Sequence, residues 1–181
     1  MSRFSTYPLL SLFLALALPA GLHAQAAPSD LSDAEVAHVV VTANTIDVDL
    51  AKLAKSRTGN PDVKQFATTM ITDHSAVNAQ ATALATKLGV TPKDNAVSQS
   101  LLKGAAEARA TIEPLKGKAF DKAYIDREVA YHTAVIGALD SLLIPTTDNA
   151  ELKKLLVDVR PAFEAHLAHA KKLQSTLVAA K

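Results

Sequence analysis

Four segments of the chain carry apolar residues at steps of three and four. The first holds Val36, Val40, Ala43, Ile46, Leu50 and Leu53, and the second Val63, Phe66, Met70, Val77, Leu84 and Leu88, with Ala81 between. The third keeps Ile125, Val129, Ile136, Leu139 and Leu143 on the same beat, and the last Leu152, Leu156, Val159, Phe163, Ala170, Leu173 and Leu177. Because an α-helix turns once in 3.6 residues, each set forms one apolar face, and four such faces bury one another most simply in a bundle. The ends are marked. Ser32 with Glu35 reads as a capping box, Asn60-Pro61 and Thr91-Pro92 as a cap followed by a first-turn proline, and Asp148 with Glu151 as a cap with a third-position acid. Breaks fall at Gly59, Gly89, Pro114 to Gly117 and Pro145. Together these predict helices over about 33–57, 61–88, 93–113, 118–143 and 149–179, the Ala-rich 93–113 being a helical crossover. The expected class is all-α, a four-helix bundle with a crossover segment, and no sheet.

The first 26 residues follow different rules. Arg3 is the only charge before Asp30 and precedes an apolar run from Pro8 to Leu22, broken by Pro19 and Gly21 and followed by Ala24-Gln25-Ala26. This is the pattern of a cleaved secretory signal peptide, 1–26, leaving a single mature domain, 27–181, with its core over about 33–179. The expected location is the periplasm or envelope. No later stretch is expected to cross a membrane.

Composition narrows the chemistry. The 181 residues hold 19 Lys and Arg against 18 Asp and Glu, and loss of Arg3 makes the mature chain formally neutral. A neutral chain with few aromatics is a poor partner for nucleic acid. Without cysteine there is no disulfide, thiolate metal site or cysteine nucleophile. The apolar faces are used up within one bundle, so a monomer or weak dimer is expected.

Three apolar stripes skip a beat, each time at histidine: His74 between Met70 and Val77, His132 between Val129 and Ile136, His166 between Phe163 and Ala170. Each lies roughly 20 to 26 Å along its helix, near the midpoint, so the three rings fall in one layer whichever way the helices run. Asp47 has the same depth in the first helix, and Tyr124, Glu128 and His132 share a face at steps of four. Three imidazoles with carboxylates are the donor set of a Zn, Fe, Cu or Mn site, with His74, His132, His166, Asp47 and Glu128 as ligands. Asp73, Asp121 and Tyr124 are placed to support them by hydrogen bonds. The same residues also fit a hydrogen-bonded polar layer with no ion.

Several of these residues carry a resemblance as well. Asp47-Val48-Asp49-Leu50, Asn60-Pro61, Phe66-Ala67 with Met70, Asp73-His74, Asn78, Phe120-Asp121 with Tyr124, His132, and Pro161 with His166-Leu167 and Ala170 resemble the DUF4142 family of exported bacterial proteins, whose activity is uncharacterised. The resemblance implies a ferritin-like bundle. It also places glutamate where this chain has Asp47, so the reach of the shorter acid sets the fourth ligand. Neither His74, His132 nor His166 has an acid three residues before it, so no di-iron motif is complete and an enzyme is not the expectation. Three functions stay open: metal binding in metal handling or envelope stress, a structural or interaction protein with a buried histidine layer, and, as the least favoured, a metal-dependent oxidoreductase, for which no known redox-ligand motif is complete.

Overall fold

The computed structural model describes residues 31–179, and the expected signal peptide lies outside the described residues. Among them all regular structure is helical: α1 (Asp33–Arg57), α2 (Pro61–Leu88), α3 (Ala96–Ile112), α4 (Gly117–Ala138), a π-helical turn (Leu139–Leu143), the single turn α5 (Ile144–Thr146), and α6 (Ala150–Ala179). The chain is all-α, as its periodicity predicts. Helices α1 and α2 pack as one pair and α4 and α6 as another, with α2 against α6 closing the bundle; α3 lies over the seam between α1 and α4.

Two of the predicted caps form as read. The Ser32 hydroxyl and the Glu35 carboxylate reach back to each other's backbone, and Asn60 Oδ1 accepts from the N–H groups of Asp62 and Val63. Each such cap is worth about 1 kcal/mol. Gly89 closes α2 with a left-handed φ of 64°, a conformation that costs other residues a Cβ clash.

Two other caps are corrected. Thr91 does not start α3; Asn95 does, its Oδ1 accepting from Val97 and Ser98 N–H while Ser98 Oγ accepts from Asn95 N–H. Residues 93–95 are thus loop, held at the start of α1 by Lys93 N–H to the Ala34 carbonyl and by Asn95 Nδ2 to the Glu35 carbonyl. The cap of α6 is Asn149, which accepts from Glu151 and Leu152 N–H, not Asp148. The choice is made from outside the helix, because the Asp33 carboxylate accepts the backbone N–H of both Asp148 and Asn149.

The helix expected over 118–143 also runs further, since Pro145 does not end it. Proline brings no N–H to the ladder; in the wider π turn before it Ile144 N–H reaches the Leu139 carbonyl, and past it Thr147 N–H returns to the α-helical pattern at the Leu143 carbonyl, 3.2 Å away. The continuous helix Gly117–Thr146 is consequently long and apolar enough, by length and composition, to cross a membrane, against the expectation that no such stretch follows the leader. Its outward positions include Thr133, Asp140 and Ser141, and Asp140 is held by both Nε and Nη2 of Arg160 on α6. Leu139, Leu143 and His132 point inward, the alternation of a bundle helix.

The core divides in two. One apolar cluster joins Leu50, Ala54, Val63, Phe66, Met70, Phe120, Ile125 and Leu173; the other joins Val36, Val40, Val77, Leu139, Leu143, Leu156 and Phe163. Every long helix contributes to both clusters, and between them every one presents polar side chains.

Candidate metal centre

The residues between the two apolar clusters are Asn44 and Asp47 from α1, His74 from α2, Glu128 and His132 from α4, and His166 from α6. Asp47 and Glu128 are fully buried, and none of the six is more than 5% exposed. The imidazole centroids lie 5.5 Å (His74–His132), 5.2 Å (His74–His166) and 5.5 Å (His132–His166) apart. Phe163 stacks on His74, 5.0 Å between centroids and 16° from parallel, and closes the layer on one side. The fold thus brings the three histidines and Asp47 to one level, as their equal depth predicts, with Glu128 one turn from His132 on the same face.

Each imidazole has one nitrogen turned outward to an acceptor. His74 Nδ1 lies 2.7 Å from Asn44 Oδ1. Asn44 Nδ2 donates to the Val40 carbonyl at 2.8 Å, so the amide oxygen must face His74 and the His74 proton must sit on Nδ1. His132 Nδ1 donates to the Glu128 carbonyl at 3.0 Å. His166 Nε2 donates to Asp73 Oδ2 at 2.9 Å.

The remaining nitrogens, His74 Nε2, His132 Nε2 and His166 Nδ1, are buried without a hydrogen-bond partner, as are both Asp47 oxygens. One donor atom from each histidine falls within 4.8 Å of the others. Donors held about 2.1 Å from a tetrahedral ion are about 3.4 Å apart, so small side-chain movements suffice for ligation. Asp47 Oδ2 approaches to 3.0 Å from His74 Nε2 and 3.6 Å from His132 Nε2. The aspartate therefore reaches two of the three histidines, His74 and His132, despite its shorter side chain.

Charge is arranged around this layer. Burial pushes the Asp47 carboxyl upward, but His74, His132 and Arg127 outweigh it and hold the group below the usual carboxylate range. Glu128 goes the other way: burial, then the Asp47 charge, raise it well above its ordinary value against the pull of Arg127. Burial also brings His132 down to about 4, opposed by Asp47, and lowers His166 in the same way, opposed by Asp73. His132 and His166, kept neutral beside an ionised carboxylate, are in the protonation state a divalent ion requires.

Of the expected supporting residues, Asp73 performs that role for His166 from a half-exposed position. Tyr124 is fully buried beside Asp47 and Glu128, whose charges add to burial in raising its hydroxyl well above the ordinary range; the hydroxyl has no hydrogen-bond partner. Asp121 is buried one turn before Tyr124 and makes no hydrogen bond to the histidines.

Two residues were not anticipated. Asn44, one turn before Asp47, orients His74. Arg127 places Nη1 2.9 Å from Glu128 Oε1 and 3.7 Å from Asp47 Oδ1, with its guanidinium 3.7 Å over the Tyr131 ring. Tyr131 in turn donates its hydroxyl to the Ala43 carbonyl. The signal for Asn44 was its position one turn from Asp47; that for Arg127 was its step of four to Tyr131.

Residues 18–173 match the family described as Domain of unknown function (DUF4142), and the chain belongs to that family. No curated protein and no solved structure matches it.

Proposed function

We propose that this DUF4142-family protein is an exported metal-binding bundle that holds one transition-metal ion through His74, His132, His166 and Asp47, in metal handling or envelope stress. The observation that carries this reading is the pairing of every imidazole: each outward nitrogen donates to an oxygen, and each inward nitrogen is buried and unpaired. A buried acceptor without a partner costs about 1–3 kcal/mol; His132 Nε2 and His166 Nδ1 carry that cost, His74 Nε2 faces only the Asp47 carboxylate at 3.0 Å, and a cation among them removes the penalty. Outer hydrogen bonds that fix the tautomer and leave the inner lone pair free are the usual support of metal-bound histidine. Imidazole donors favour Zn, Cu, Fe or Ni over Mg or Ca. Four protein donors around one ion leave no open position in a tetrahedral shell, which favours holding the metal over catalysis on it. Export rests on the amino-terminal pattern of Arg3, the Pro8–Leu22 run and Ala24-Gln25-Ala26.

The test is metal content by plasma mass spectrometry on untagged mature protein, beside the His74→Ala/His132→Ala/His166→Ala variant. The expected result is about one ion per chain, lost in the variant. No metal, with no melting shift on adding Zn, Cu, Fe or Mn, would overturn the reading.

A second reading is favoured by one contact, the 3.0 Å approach of His74 Nε2 to Asp47 Oδ2. In it that contact is a hydrogen bond between His74 and Asp47 within a buried polar layer, and the layer is structural. Replacing the layer by apolar residues of similar volume would then be neutral or stabilising, and added metal would change nothing.

A further inference from the structure

Asp47 faces two ways. Oδ2 is turned toward the histidines, 3.0 Å from His74 Nε2 and 3.6 Å from His132 Nε2, while Oδ1 is turned toward Arg127, 3.7 Å from Nη1. Glu128 stands beside that second direction. Its Oε1 accepts from Arg127 Nη1 at 2.9 Å, and its Oε2 is buried without a hydrogen bond, 3.5 Å from His132 Nδ1. Asp47, Glu128 and His132 form a second group whose donor atoms lie within 4.8 Å of one another; with His132 Nδ1 donating to the Glu128 carbonyl and Nε2 turned to the first set, what this group adds is Asp47 Oδ1 and the Glu128 carboxylate. Two donor sets joined by a carboxylate whose oxygens point to either side form the frame in which two cations sit roughly 3.5–4 Å apart.

We propose that the Arg127 guanidinium is a resident cation standing in the second of these two positions, so that the centre takes one metal ion rather than two, and that Asp47 Oδ1 and the Glu128 carboxylate hold a second ion once Arg127 is replaced. The inference rests on the three-histidine position binding a metal.

The physical case has three parts. A guanidinium stays protonated at any working pH, so its charge is permanent where a lysine or histidine could discharge. It is also pinned, because its plane lies on the Tyr131 ring and Tyr131 is anchored through its hydroxyl to the Ala43 carbonyl. A tethered cation a few ångströms from two buried carboxylates competes with a free ion without any loss of translational freedom. Arg127 is also the most exposed member of the group, its side chain 11% exposed while Asp47 and Glu128 are fully buried behind it. Arg127 lines a groove of about 570 Å³ between α3 and α4 and a second of about 190 Å³ between α1 and α3. Helix α3, which buries only Ser98 and Ile112, runs between them.

The experiment is equilibrium dialysis of the mature protein against Co(II), with cobalt per chain counted by plasma mass spectrometry. Wild type is run beside Arg127→Gln, Arg127→His and the Arg127→Gln/Glu128→Gln double variant. The expected counts are one for wild type, two for Arg127→Gln and Arg127→His, and one again for the double variant. Arg127→His keeps a ring for Tyr131 and a donor for Glu128, so it serves if two unpaired carboxylates prevent Arg127→Gln from folding. A count of one in wild type and in both single variants overturns the inference and leaves the three-histidine reading standing. A count of two in wild type also overturns it, because Arg127 then excludes nothing. A count of zero in wild type overturns both.

Discussion

Asn44 Oδ1 accepts a hydrogen bond from His74 Nδ1 at 2.7 Å, while the same amide donates through Nδ2 to the Val40 carbonyl at 2.8 Å. The second bond gives the first its meaning. With Nδ2 committed to its own helix, Asn44 can offer His74 only an acceptor, and the His74 lone pair is left on Nε2, facing His132 and His166. Asn44→Ala removes the acceptor and frees the ring to turn or change tautomer. Metal affinity should fall roughly 10–100-fold, the usual cost of losing such a partner, measured by competition with a chromophoric chelator. An unchanged affinity would mean that Phe163 stacking alone fixes the ring.

Metal removal should be visible in stability. An ion that binds only the folded chain, present at 100 times its dissociation constant, adds about 2.7 kcal/mol. For a domain of this size that is a rise of roughly 5–10 °C in melting temperature. Chelation should reverse the rise, and the His74→Ala/His132→Ala/His166→Ala variant should melt at one temperature with or without metal. A rise that persists in the variant would place the ion elsewhere.

The metal-free protein should weaken in acid, with a sign that can be assigned. His132 has an ordinary value of 6.5 when unfolded and is held at about 4 when folded, by burial first and by the neighbouring imidazoles after it. Between those values the unfolded chain binds a proton that the folded ring refuses. The stability His132 contributes is therefore whole above about 6.5 and is lost as pH falls toward 4; His166, also lowered, acts with the same sign. Glu128, raised in the fold, acts with the opposite sign by taking up its proton more readily when folded. Urea unfolding in a Glu128→Gln background isolates the histidines, and from pH 7 to 4.5 the His132 share should be on the order of 2–3 kcal/mol. A flat profile would contradict the burial of a neutral His132, as would an NMR titration midpoint near 6.5 for its ring.

How much of this was legible beforehand depends on what each residue's setting is made of. The histidine layer was legible because a polar residue on an apolar face is conspicuous, and because midpoints of antiparallel helices share a level. The three histidines were found that way, Asp47 by its matching depth in the first helix, and Glu128 by its step of four to His132. Arg127 was not, because a charged residue at the edge of a stripe looks the same whether it meets solvent or a neighbour. It is covered only because α3 lies on the seam between α1 and α4, and the weak apolar face of α3 gives no sign of where it docks. Asn44 escaped for a related reason: an amide one turn from an acid becomes informative only when its partner on another helix is known. Two of the four caps were missed at a finer scale: at α3 the start lies four residues past Thr91, at Asn95, and at α6 the adjacent Asp148 and Asn149 could each serve and a tertiary contact decided between them.

The start of α6 offers a direct check on that last point. Asp148 and Asn149 are both good cap residues by type, and an acid near a helix start is favoured by the dipole as well. In the fold Asn149 Oδ1 receives Glu151 N–H at 2.9 Å and Leu152 N–H at 3.1 Å. Asp148 contributes only its backbone N–H, which goes to Asp33. Asn149→Ala should therefore cost about 1 kcal/mol in urea unfolding, whereas Asp148→Ala should change stability by less than about 0.5 kcal/mol. Asp33→Ala should resemble Asn149→Ala, because it strips the acceptor that ties the Asp148–Asn149 backbone to the start of α1 and lets the loop move. If Asp148→Ala proved the more costly, the cap would belong to Asp148 in solution, and the pairing of Asp33 with this loop would have to be redrawn.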